Sequence, residues 1–363
     1  MNTMYDVLRN LMFKLPPEAA HALALSTLDV AWRLGVTEHL VDPIYSPAQV
    51  MGLKFRNRVG LAAGLDKDGR CINGLLALGF GFVEIGTVTP RPQVGNPKPR
   101  LFRLPQHRAL LNRMGFNNQG VDRLRQRLAS ALQHRMPSDG QVGVNIGKNK
   151  DTPLARAVDD YLAAFDAVQP YADYVTINIS SPNTPGLREL QEGRHLEQLL
   201  RLVCERRDEL AQLGRRVPLA AKIAPDLDAE AVAAIAEVLV ASGVDGVIAT
   251  NTTVERPLHG SEASRFRNEQ GGLSGDPLFE LALATVTQLA NSLQGRLPII
   301  AVGGIHDVAS ARRMIDAGAS LLQIYTAFIY QGPRLVRDIA RAIPTLLTDE
   351  GLSAAELDRA ART

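Results

Sequence analysis

The chain has 363 residues, 45% of them hydrophobic and 21% charged, with a net charge of +2. Those values fit a soluble globular protein built as one large domain with an accessory piece, or as two domains. They give no overall pull toward nucleic acid, and the only two cysteines, Cys71 and Cys204, are too few for a disulfide scaffold and lack metal spacing. A reducing, cytosolic location is the natural reading. No apolar run approaches the ~20 residues of a membrane helix. Asp6, Arg9 and Lys14 interrupt the N-terminus, so it does not read as a signal peptide.

Residues 4 to about 40 read as two short helices. Met4, Leu8, Leu11 and Leu15 fall at helical spacing, and Val7 and Met12 widen the stripe. Pro16 and Pro17 break this helix, and Pro17 with Glu18 opens the next. That second helix, EAAHALALSTLDVAWRL, is apolar around most of its circumference and carries the only tryptophan, Trp32. Such a pair either packs wholly on a main domain or serves as an amphipathic element at a membrane or an apolar entrance.

Eight short apolar segments follow: VGLAAG (59–64), FVEIGTV (82–88), VGVNIG (142–147), YVTINIS (174–180), LAAKIA (219–224), GVIATNT (246–252), PIIAVGG (298–304) and LLQIYTA (321–327). Helix-like stretches separate them, among them VDRLRQRLASAL, HLEQLLRLVCERRDEL, AEAVAAIAEVLVASG, LFELALATVTQLA and VASARRMIDAG. Near-continuous apolar strands alternating with helices indicate a parallel sheet buried on both faces. Eight such units predict an α/β fold, the (β/α)8 TIM barrel with a small N-terminal two-helix domain. A doubly wound open sheet competes, but the glycine-rich fingerprint that often follows its first strand is absent.

In such barrels the reactive face lies at the C-terminal ends of the strands. Polar residues recur there: Lys67, Thr87, Asn145 with Lys148, Asn178, Lys222, Thr250-Asn251-Thr252, Gly303-Gly304 and Tyr325-Thr326. One such residue alone could be a satisfied core group; eight strand ends on one face indicate a site. After the fourth strand, NISSPNTPGLR packs Asn178, Ser180, Ser181 and Asn183 between two prolines. Gly303-Gly304 and Tyr325-Thr326 stand where this fold often binds phosphate. Long loops follow strands two and six, and the first adds Asn112, Asn117 and Asn118. Amides plus Lys67 suit a planar, polar, anionic substrate, and no cluster has the spacing of a metal site.

GLAAGLDKDG, EIGTVTPRPQVGNPKPRLFR, LNRMGFNN, NIGKNKDT, NISSPNTPGLR, KIAPDL, DGVIATNTT, GGLSG and IIAVGGI occur in this order over nearly the whole chain. Together they resemble dihydroorotate dehydrogenase, and within it the class 2, membrane-associated type. The cytosolic class carries cysteine where this chain has Ser181, and it lacks the N-terminal helical pair. The resemblance implies oxidation of dihydroorotate to orotate in pyrimidine (UMP) synthesis, with FMN taking the hydride and a membrane quinone the electrons. It implies Ser181 as the base, with Thr184 and Phe116 bordering the proton path. The substrate would meet Lys67, Asn112, Arg113, Met114, Gly115, Phe116, Asn178, Asn183, Asn251 and Thr252. FMN would meet Ala63, Gly64, Leu65, Asp66, Lys67, Thr87, Asn145, Asn178, Lys222, Thr250, Gly275, Gly304, Tyr325 and Thr326.

The same resemblance implies three regions: a helical pair at 1–42 forming a quinone tunnel at the membrane surface, an FMN barrel at 48–345 and a polar tail at 346–363. His21 and Arg103 would stand near the inner end of the tunnel. The protein would sit peripherally on the cytoplasmic face of the cell (inner) membrane, with no obligatory protein partner and no nucleic acid. Two competing readings are a soluble relative using fumarate or NAD, and a membrane-bound flavin sensor without turnover.

Overall fold

A computed structural model describes residues 3–39, 43–135, 139–191 and 193–344. The expected tail at 346–363 and the ends of the 1–42 segment lie outside the described residues. Helices α1 (Thr3–Met12) and α2 (Pro17–Arg33) come first, broken apart by Pro16 as their sequence dictates. Strands β1 (Ala48–Val50) and β2 (Leu53–Phe55) then form a hairpin. Its two turn residues, Met51 and Gly52, both hold positive φ, the tight-turn geometry that matches strand twist.

The chain continues through β3 (Val59–Leu61), α3 (Ile72–Leu76), β4 (Phe82–Val88), β5 (Leu101–Leu104), β6 (Ala109–Asn112), α4 (Val121–Leu132), β7 (Gln141–Ile146), α5 (Ala157–Val168), β8 (Tyr174–Asn178), α6 (Gly193–Ala211) and β9 (Leu219–Ile223). It ends with α7 (Ala229–Ser242), β10 (Gly246–Ala249), α8 (Gly260–Phe266), β11 (Gly272–Gly275), α9 (Phe279–Leu293), β12 (Ile299–Val302), α10 (Val308–Asp316), β13 (Ala319–Ile324), α11 (Thr326–Gln331) and α12 (Pro333–Ala342).

Eight strands close into a barrel in the order β3-β4-β7-β8-β9-β10-β12-β13, and β13 returns to pair with β3. Every pair in the ring is parallel. Each predicted apolar segment overlaps one of these strands, although β7 begins one residue and β13 two residues before the segment that marks it. The predicted segments run past several strand ends, so Thr250 to Thr252 and Gly303 to Gly304 lie on the loops beyond β10 and β12.

The interior of the barrel divides in two. Phe82, Tyr174, Ala220, Ile248, Ile300 and Leu321 fill one half, and Ala48, Val50 and Phe55 of the β1–β2 hairpin join the same cluster. Gly60 and Gly143 make room for the rings: a Cβ at either would lie 2.3 Å from Phe82 or 2.1 Å from Tyr174. Truncating fully buried Phe82 to alanine costs about 3–5 kcal/mol. The other half holds Glu84, Asn145, Thr176, Asn178, Lys222 and Gln323, all buried.

Outside the ring, apolar stripes hold the helices in place. Leu124 and Leu128 of α4 and Val232, Ile235 and Leu239 of α7 are buried in the surrounding core. The Asp228 carboxylate caps α7, and Asp307 with Ser310 forms a capping box on α10. Antiparallel β5, β6 and β11 make a separate sheet, with Asn112 paired to both Leu101 and Gly272.

The helical pair docks through polar contacts and through Ala20 and Leu25 of α2, which are buried, while the apolar stripe of α1 stays largely free. Tyr5 Oη donates to the carbonyls of Phe328 and Ile329, and Arg9 donates to Tyr330 O. Glu18 accepts two bonds from Arg100, at 3.1 and 3.0 Å. Met4, Val7, Leu8 and Leu11 remain exposed, Met4 by 78%. Wholesale packing of that stripe on the barrel, one of the two sequence alternatives, is therefore not what the chain does.

Candidate active site

Strand ends from around the barrel converge on one cavity. Of the residues expected there, Ala63, Gly64, Lys67, Thr87, Asn112, Met114, Gly115, Phe116, Asn178, Ser181, Asn183, Lys222, Thr250, Asn251, Thr252, Gly275, Gly304, Tyr325 and Thr326 line it. Lys67, Ser181 and Lys222 thus share a single space. Leu101 and Leu110 add apolar wall from the β5–β6 hairpin.

Five expected residues stand behind the lining. Leu65 is buried in the surrounding core. Asp66 accepts from the Arg70 and Cys71 amides at 2.8 and 2.7 Å, turning the chain into α3; burial pushes its carboxyl up against those bonds. Arg113 donates to Pro99 O and pairs with Glu269. Asn145 lies inside the barrel, and Thr184 is buried in the loop after β8.

That loop is held from both sides. Asn178 Nδ2 donates to Thr87 Oγ1 at 2.9 Å and to Asn145 Oδ1 at 3.1 Å, and Tyr161 Oη donates to Asn178 O at 2.7 Å. Asn183 Nδ2 donates to Asn112 Oδ1 at 3.1 Å, reaching the antiparallel sheet. Arg188 donates to Ser180 O and Thr252 O and pairs with Asp226 at 2.8 Å. Ser181 is buried, and its Oγ accepts the Asn183 amide at 3.3 Å. Among the described residues no carboxylate or imidazole hydrogen-bonds that hydroxyl.

Two ammonium groups give the cavity its positive charge. Lys67 Nζ donates to Gly115 O and to Asn117 Oδ1 at 2.5 Å. Burial, aided by the Arg100 charge, brings its pKa down to about 8. Lys222 is lowered by burial too, while the Glu84 carboxylate opposes the shift. Its ammonium has no hydrogen-bond partner among the described residues.

His21 and Arg103 lie outside the lining. Burial holds the His21 imidazole at about 4, with the nearby Lys67 charge adding to the effect, so it is neutral at physiological pH. Arg103 donates to Phe13 O and Leu15 O and stacks over the Phe13 ring at 4.5 Å, which fastens the α1–α2 junction.

Sequence reasoning passed over Glu84, Gln323, Arg188 and Asp226. A lone glutamate in FVEIGTV and a lone glutamine in LLQIYTA, both inside apolar strands, were the available signals. Gln323 Nε2 donates to Glu84 Oε2 at 2.7 Å, whereas its Oε1 is a buried acceptor with no partner in the cavity wall.

The family model for dihydroorotate dehydrogenase matches residues 46–347. The chain is 56% identical over 345 residues to the dihydroorotate dehydrogenase (quinone) of Azotobacter vinelandii, covering 94% of this chain and 97% of that protein. It is 55% identical over 343 residues to the dihydroorotate dehydrogenase (quinone) of Methylococcus capsulatus, covering 94% and 99%. A solved structure of DHODH from Eimeria tenella in complex with ferulenol superposes with a TM-score of 0.82 at 37% identity, over 92% of this chain and 93% of that one.

Proposed function

The chain belongs to the dihydroorotate dehydrogenase family, in its quinone-dependent class, and from that premise we propose that it oxidises (S)-dihydroorotate to orotate with FMN as hydride acceptor and a quinone as final electron acceptor, a step of pyrimidine (UMP) synthesis. The observation that carries the reading is the gathering of Lys67, Ser181 and Lys222 around one cavity at the strand ends.

The residues present fit the flavin. Gly304 holds φ +69 with a notional Cβ 2.5 Å from the Phe279 backbone, so its conformation demands glycine, and with Gly303 it presents bare main chain in the cavity wall where a phosphate can approach. Gln323 Oε1 offers an unpartnered acceptor, and Lys222 an unpartnered donor and positive charge. Gly275, Tyr325 and Thr326 complete the wall on that side. When bound, FMN supplies the acceptor for the substrate's C6 hydride and relays the electrons to quinone.

The chain's own residues do the rest. Lys67 pairs with the substrate carboxylate in a water-poor pocket, and the side-chain amides of Asn112, Asn178, Asn183 and Asn251 supply hydrogen bonds to the ring. Ser181 Oγ takes the C5 proton. A hydroxyl is a weak base, and without an adjacent imidazole it must pass the proton onward, past Thr184 and Phe116. Both of those side chains are buried beside the loop or in the cavity wall.

Electrons leave beside the helical pair. Residues 1–42 form the quinone entrance and rest the protein peripherally on the cytoplasmic face of the cell membrane, with His21 and Arg103 near its inner end. Supporting this, Met4, Val7, Leu8, Leu11, Leu23 and Val30 are exposed apolar residues of α1 and α2. His21 feels the charge of Lys67 on the cavity wall, which brings α2 close to the site. No helix among the described residues is long and apolar enough to cross a membrane.

Purified protein should be yellow, and anaerobic dihydroorotate should bleach it until a quinone restores the colour. Protein that cannot be loaded with FMN defeats the proposal. Turnover with fumarate that survives deletion of residues 1–40 would favour a soluble relative instead.

A further inference from the structure

We propose that Glu84 is a positioning residue for this reaction: it fixes which way the amides of the cavity wall point and offsets the charge of Lys222, thereby tuning the electron affinity of the bound flavin. The inference rests on the flavin reading above.

Glu84 is fully buried on β4, inside the barrel, where an ionised carboxylate survives only if its lone pairs are satisfied. It accepts three bonds: from Asn145 Nδ2 at 2.8 Å, Tyr174 Oη at 3.0 Å and Gln323 Nε2 at 2.7 Å. A carboxylate only accepts, so each partner must turn its donor inward. Gln323 is thereby left with Oε1 as the unpartnered acceptor of the cavity wall.

The consequence propagates along the wall. With Nδ2 committed to Glu84, Asn145 presents Oδ1 to Thr87 and Asn178, accepting from them at 2.5 and 3.1 Å. Asn178 must then spend its own Nδ2 on that side. Its Oδ1 faces Ser180 and Asn251, at 3.3 and 3.4 Å. One acceptor-only group inside the barrel therefore dictates amide polarity up to the loop that bears Ser181.

The second effect is electrostatic. Lys222 sits buried on β9 without a hydrogen-bond partner, and Glu84 is the charged group that favours its ammonium form. Tyr174, pushed far up by burial and by Glu84, stays neutral, and Lys67 is the other cation of the same wall. Removing the carboxylate leaves a net positive interior, which favours electron uptake and makes Lys222 easier to deprotonate.

The test is Glu84→Gln, alone and combined with Lys222→Met, with Glu84→Asp as the charge-retaining control. Flavin-loaded Glu84→Gln is expected to favour reduction about tenfold on the acid side, or about 30 mV for two electrons. The alkaline break in its potential–pH curve is expected to fall by about one unit, the same tenfold bias applied to Lys222. Glu84→Asp should keep both near wild type. The double variant should melt higher than Glu84→Gln alone, because it removes both buried charges rather than one, and this comparison is read with or without flavin. An unchanged potential and break in folded, flavin-bound Glu84→Gln would overturn the proposal. So would melting losses that simply add in the double variant. Wild-type protein that takes up no flavin would instead strike at the functional reading, leaving the melting cycle to decide the role of Glu84.

Discussion

Lys67 gives the sharpest pH test of the site. Burial beside Arg100 brings its pKa from 10.5 to about 8, against weaker pulls from Asp68 and Glu18. That lowering is a bias of roughly 3 kcal/mol against the charged form. An amine with a lowered pKa is still charged below pH 8, so attraction for a carboxylate is complete there and fades above it. At pH 9 only about one lysine in ten stays protonated, so orotate should bind roughly tenfold more weakly than at pH 7, about 1.4 kcal/mol. The assay is titration of flavin-loaded protein with orotate from pH 6 to 9, read from the flavin absorbance. Lys67→Met should bind weakly and without the break. A flat wild-type curve to pH 9, or a break that survives Lys67→Met, would refute the assignment.

Ser181→Ala should slow anaerobic flavin reduction by about 10²–10⁴-fold while orotate still binds, because positioned proton transfer is worth that much; reduction near the wild-type rate would remove Ser181 from the base role. Gly304→Ala should weaken FMN retention on gel filtration, since the left-handed φ of +69 and a new Cβ 2.5 Å from the Phe279 backbone force this stretch of the cavity wall to shift. Retention of flavin at wild-type affinity would show that the phosphate lies elsewhere. Acid should loosen α2: His21 titrates at about 4 when docked and near 6.5 when free, so the undocked state holds the proton more tightly between those values. Docking is therefore fully stable above pH 6.5 and weakens as pH falls toward 4, by about 3 kcal/mol at most. Limited proteolysis at the α1–α2 junction across that range measures this, and His21→Gln should abolish the dependence.

Much of the barrel is legible because strands buried on both faces cannot hide their apolar content. FVEIGTV and YVTINIS announce β4 and β8, and VDRLRQRLASAL coincides with α4, Val121–Leu132. The site is legible because its residues cluster at strand ends, where polar side chains have no packing reason to recur. The β5–β6–β11 sheet was not legible: its strands are four residues each, sit in loops rich in proline and glycine, and β11 reaches β6 across 160 residues of chain. The short helix α3 was missed because five residues are too few for helical periodicity to show. Glu84 and Gln323 were invisible as a pair because their contact spans 239 residues and exists only when the ring closes. On α1 the stripe of Met4, Leu8 and Leu11 was readable, but not which side would face the barrel. Tyr5 and Arg9, reaching α11 by hydrogen bonds, decide that.

The seam between β13 and β3 joins the two ends of the barrel sequence, Leu322 beside Val59, with Ala62 N donating to Ile324 O at 3.1 Å. Immediately past it, Gly64 and Tyr325 face each other across the cavity wall, 3.4 Å from a notional Cβ to the ring. A molecule held there grips the first and last staves of the cask at once, like a rivet through a hoop. Its affinity is thereby lent to the whole circle: ligand at a hundredfold its Kd adds about 2.7 kcal/mol against opening anywhere.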